Sequence, residues 1–187
     1  MNKKMFLTFI PILLIPYIAL FSLAAIFFST TVPFFEFLMQ TVFCSNIFYF
    51  LAVLLIYCAA VTVYNVICFF VSIHRKWDVV ALAKTAMTVK LIQVPAYVLI
   101  FVLGVFMSIT IFTIPFAVGL FVIDCLALFM TGLPVIASAV MAKRQGVFSL
   151  KEVFWVIALQ FVFCADVIVS VMFYLKLKRY YGQITNN

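Results

Sequence analysis

Between residues 94 and 142 the chain carries a single charged side chain, Asp124. Apolar runs of eighteen or more residues read as membrane helices, because hydrocarbon accepts only backbone that satisfies its own hydrogen bonds. Residues 5–28 and 43–73 carry no charge at all, and residues 153–175 carry only Asp166. Across the 187 residues 69% are hydrophobic and 9% charged, whereas a soluble domain is about half apolar and about a quarter charged. So much apolar surface fits hydrocarbon rather than water. The short alternating segments of a membrane barrel are absent. The expectation is an all-α, polytopic transmembrane helical bundle forming a single integral membrane domain over residues 1–187.

Five spans are expected, at about 5–28, 43–73, 93–111, 116–142 and 153–175. Pro11 and Pro16 interrupt the first, and Gly132 and Pro134 the fourth, since proline removes a helical donor and crowds the preceding turn. The first run is read as a retained helix, being too long for a usual signal peptide. Residues 78–92 hold Lys84 and Lys90 on a helical pattern, which predicts a short amphipathic helix lying at the interface. Arg75, Lys76 and Trp77 form an expected headgroup anchor, and Lys143 and Arg144 another. Gly146 suits a left-handed helix cap, and Ser149 with Glu152 reads as a capping box.

The positive-inside rule puts Lys3 and Lys4, residues 74–92 and residues 143–152 on the cytoplasmic side. The N-terminus is therefore expected in the cytoplasm, and the chain in the cell membrane as a multi-pass protein. Five spans conflict with the same rule at the end of the chain. They send the cluster Lys176, Lys178 and Arg179 outside.

Asp124 and Asp166 lie near the centres of the fourth and fifth spans. A carboxylate at that depth costs about 2.5–3.5 kcal/mol even on mild insertion scales, so each should face protein or water. Residues 78–92 being read as interfacial, no cation is expected at their depth. Gln160, Asn65, Tyr64, Tyr97 and Ser108 are the candidate hydrogen-bond partners. The functional expectation is a proton or cation relay. The plainer one is that protonated aspartates tie helices together through bonds averaging about 0.6 kcal/mol.

No zinc-protease, phosphate-loop, nucleophile-elbow or dinucleotide motif occurs. The five cysteines are scattered and His74 is the one histidine, so neither a metal site nor a cofactor is expected. A formal charge of +7 is accounted for by helix ends meeting anionic headgroups rather than by nucleic acid. The partners expected are the bilayer and another membrane protein or a second copy.

The stretches VPAYVLIFVLG, TIFTIPF, FVIDCLALF, KRQGVFS and LQFVFCADVIVSVMFYLKLKR resemble a group of small polytopic bacterial membrane proteins. The resemblance covers the C-terminal half. It implies a bacterial cytoplasmic membrane and brings no activity or ligand with it. Two functions are expected. One is a non-enzymatic protein acting through helix contacts, as an accessory subunit, regulator or immunity-type protein. The other is a small proton- or cation-coupled transporter or channel subunit using Asp124 and Asp166.

Overall fold

The structure, a computed structural model, describes residues 3–185, and among them it is mostly helical, without strands. Eight α-helices run in order: α1 (Lys3–Thr8), α2 (Ile10–Phe27), α3 (Pro33–Phe37), α4 (Ile47–His74), α5 (Val79–Met107), α6 (Ile114–Arg144), α7 (Leu150–Leu159) and α8 (Ala165–Thr185). A five-residue π-helix, Leu38–Val42, follows α3. Among the described residues four helices are long and apolar enough to cross a bilayer: α2, α4, α5 and α6.

The long helices α5 and α6 form an antiparallel hairpin at the centre of the molecule. Helix α2 packs across both, α4 flanks α6, and α8 lies along α5. The interior is built from Leu82, Val89 and Ile100 on α5, Met130, Val135 and Ala139 on α6, and Ile12 and Ile15 on α2. Ala83, Ala86, Ala137 and Ala142 are buried in the same interior. Small side chains let helix backbones approach closely where lipid supplies no hydrophobic drive for association.

Helix ends follow local chemistry. Proline at the start of α2 stops α1, and the chain turns at Phe9. The Asn46 and Asp78 side chains accept from backbone N–H groups at the starts of α4 and α5. Gly146, at φ 74°, closes α6: its N–H bonds Lys143 O, and Val147 N–H bonds Ala142 O. That is the paired closure for which a residue without a Cβ is suited. Ser149 and Glu152 form the expected capping box on α7. Ser149→Ala should lower stability by about 1 kcal/mol, and Ser149→Gly by only a few tenths. Detergent titration of the purified variants checks the order.

Three expectations need correction. Residues 78–92 are not a separate interfacial helix. They form the first half of α5, with Leu82, Ala83, Thr85, Ala86, Val89 and Lys90 buried. Gly132 and Pro134 do not break α6, which runs unbroken to Arg144. Residues 153–175 are not one continuous helix. The chain leaves α7 at Gln160, turns through a left-handed Cys164 at φ 65°, and restarts at Ala165.

Helix α8 then runs back antiparallel to α7. Gln160 at the tip contacts Ser170, and Glu152 near the base pairs with Lys176. Tyr181 Oη donates to Gln145, beyond the C-terminal end of α6. At about 1.5 Å per residue, α7 is about 15 Å long, half the hydrocarbon thickness. Its ten residues are too few to cross. Neither α7 nor α8 is among the four described helices long and apolar enough to cross, so the count of five is not confirmed.

The base of this hairpin is exposed and charged. The Lys176 ammonium, hydrogen-bonded to Glu152, together with the Ser149 backbone N–H, holds the Glu152 carboxyl down at about 2. A depressed carboxyl contributes above its unfolded value and loses the contribution as pH falls through the folded one. The tie should therefore be constant from pH 5 to 8 and fade only between about pH 4 and 2. A fluorophore pair reporting the distance between residues 151 and 178 checks this.

Candidate functional site

Lys90 is fully buried, and its Nζ lies 2.6 Å from Oδ2 of Asp166, itself 2% exposed. The pair joins the middle of α5 to the first turn of α8. Lys90 stands eleven residues into α5, about 16 Å along the axis from its start. Asp166 stands ten residues before Lys176, about 15 Å from the hairpin base. Both distances bring the pair to the same level, deep between the helices.

The sequence reading missed Lys90, and no expected partner bonds a carboxylate. The signal was its spacing with Gln93 and Tyr97. Positions i, i+3 and i+7 share one helix face, and all three side chains are buried. Lys90, Gln93 and Tyr97 form a polar stripe inside the bundle, with Tyr97 Oη donating to Gln93 at 3.0 Å.

Buried amides have a different task. Pro16 and Pro134 lack the N–H that would bond the carbonyls of Ile12 and Met130, four residues earlier. Gln93 Nε2 donates to Ile12 O at 2.9 Å, and Asn65 Nδ2 to Met130 O at 2.6 Å. Each proline-freed carbonyl thus receives an amide from a neighbouring helix. This is how membrane helices keep proline without an orphaned carbonyl. Gln160 instead faces Ser170, whose hydroxyl donates to Asp166 O at 2.6 Å. Ser108 donates to Gly104 O on its own helix, and Tyr64 lies partly exposed on α4.

Asp124 has no such arrangement. Its Oδ1 is buried and has no hydrogen-bond partner. The residue lines a groove of about 670 Å³ between α5 and α6. The groove runs from Ser108 and Ile114, beside the α5–α6 turn, to Phe161 and Phe163 at the tip of the α7–α8 hairpin. Asp124 and Asp166 are within electrostatic range of one another, and Tyr97 is within range of both. The polar stripe therefore runs from Lys90 of the ion pair to Tyr97, which lies near both carboxylates.

The expected anchor residues lie at the surface. Arg75, Lys76, Lys143 and Arg144 are exposed and Trp77 is half-buried. Lys176, Lys178 and Arg179 join them at the same end, because α8 folds back towards Glu152 and Gln145. No protein-family model, curated protein or solved structure matches this chain.

Proposed function

We propose that this is a non-enzymatic, multi-pass protein of the bacterial cytoplasmic membrane that carries a proton or cation at Asp124. The observation behind the reading is that Asp124 lines a groove and has a carboxylate oxygen buried without a hydrogen-bond partner. A carboxylate left without a partner at bilayer depth is costly and needs a proton or a cation to neutralise it. Asp166 is already neutralised by Lys90, so the relay rests on one carboxylate rather than two.

The topology that goes with this is four crossings plus a re-entrant hairpin. In it every basic cluster, including Lys176, Lys178 and Arg179, lies on the cytoplasmic side with both chain ends. The positive-inside rule is then obeyed throughout. The non-helical residues 160–164 stand at mid-membrane. Irregular backbone is tolerated there where protein buries it or a water-filled cavity meets it, and Phe161 and Phe163 border the groove. The groove extends from the α5–α6 turn, at the end opposite the basic clusters, to the hairpin tip.

Reconstituted vesicles carrying a pH gradient should show a proton flux that Asp124→Asn abolishes. Equal flux from Asp124→Asn and wild-type protein would overturn the reading.

A second reading, action through helix contacts as an accessory, regulatory or immunity-type subunit, has one observation in its favour. Helix α4 buries only Phe50, Val61, Asn65, Cys68 and Ser72. Its Ala59–Ala60 pair is exposed on the outer surface. Photo-crosslinkers placed at Leu55 and Ala59 in native membranes should then give one discrete protein adduct. Lipid adducts alone would remove this reading.

A further inference from the structure

We infer that the α5–α6 groove is a binding site for a monovalent lipophilic organic cation, with Asp124 as its counter-ion; this rests on the reading of Asp124 given above. The donor set excludes the alternatives. A hard metal ion such as Ca²⁺ needs about six to eight oxygen ligands. The side-chain oxygens along the groove are those of the Asp124 carboxylate and the Ser108 hydroxyl, three atoms in all. Among the described residues no three His, Cys, Asp or Glu side chains gather to hold a metal. A bare proton does not need about 670 Å³ of apolar space. That volume suits a small molecule, since ligand pockets run from about 300 to 1,000 Å³.

The walls describe the rest of the ligand. Phe101, Phe121, Phe161 and Phe163 border the groove, and Asp124 is the one charged residue among its lining. Aromatic faces attract organic cations, and attract them more strongly where water is excluded. The neighbouring Lys90–Asp166 pair is neutral as a unit. The site therefore has room for one positive charge and an apolar body to carry it. The Asp124 carboxylate, which lines the groove, is the group the charge would meet.

Tetraphenylphosphonium tests the assignment directly, because it is monovalent, aromatic and unable to donate a hydrogen bond. Equilibrium dialysis of the full chain in lipid nanodiscs should show saturable binding of one tetraphenylphosphonium per protein. In weakly buffered solution near neutral pH, proton release on binding would mark displacement of a proton from Asp124. Asp124→Asn should weaken binding by at least about tenfold, equivalent to about 1.4 kcal/mol. Gly104→Leu gives a second arm. A Cβ at Gly104 meets nothing within 4 Å, so the helix tolerates the change while the side chain fills the groove. It should weaken binding as well.

Non-saturable uptake equal in wild type and Asp124→Asn would show partition into lipid and overturn the inference. So would a wild-type protein that passes protons through Asp124 yet binds no tetraphenylphosphonium, and that result would leave the proton-carrying reading standing. Loss of proton dependence on Asp124 together with intact tetraphenylphosphonium binding would sink the reading alone.

Discussion

Lys90→Met should lower stability by about 3–5 kcal/mol, the cost of leaving a buried charge without its partner. Asp166→Leu should do the same from the other side. The double variant Lys90→Met/Asp166→Leu should recover most of the loss, because a buried ion pair replaced by apolar groups of similar size is often neutral or stabilising. The expectation follows from burial. Lys90 is fully enclosed and Asp166 nearly so, at 2.6 Å. An exposed pair of the same length would be worth at most about 1 kcal/mol. The loss should also be local at first. Asp166 sits in the first turn of α8, so the single variants should release the α7–α8 hairpin before the four long helices separate. Steric-trap or detergent unfolding gives the total. Proteolysis between residues 160 and 164 reports the local step. Single variants within about 1 kcal/mol of wild type would mean that the pair does not hold the hairpin.

Asn65→Leu should cost about 1–3 kcal/mol, because it strips the donor from the carbonyl of the buried Met130. The informative experiment adds Pro134→Ala. Alanine restores the N–H that proline lacks, and that N–H can bond Met130 O within α6. The second substitution should therefore cancel much of the first. Most polar contacts between membrane helices couple by only about 0.6 kcal/mol, so a recovery above 1 kcal/mol would be diagnostic. Additive losses would mean that Asn65 serves another purpose, such as its second amide atom, Oδ1, which is buried without a partner.

The helices and their ends were legible where the signal was local. The capping box at Ser149 and the left-handed Gly146 both stand as the residues implied. Lys90 was misread because a lysine thirteen residues from Trp77 resembles part of an interfacial stretch by spacing alone. Its burial depends on α8, whose Asp166 lies 76 positions away. The amide–proline pairs were hidden for the same reason, with Asn65 and Met130 separated by 65 positions.

The break in the last apolar run left no local mark, since residues 160–164 hold neither Gly nor Pro. Length and hydropathy there satisfy a full span. The useful signal was elsewhere, in the conflict between five spans and the basic cluster Lys176, Lys178 and Arg179. The hairpin removes that conflict. Asp124 was legible from the start as a charge out of place. Its lack of a partner could only be seen once Lys90 was found beside Asp166.

Which side of the membrane holds Gln183 tests the central claim, that residues 150–185 enter the bilayer and return. Single cysteines at Gln183, Lys143 and Phe112, in a background without the native cysteines, can be labelled from either side of sealed vesicles with an impermeant maleimide. Gln183→Cys should label together with Lys143→Cys, and Phe112→Cys from the opposite side. Labelling of Gln183→Cys from the Phe112 side would show a full fifth crossing and contradict it.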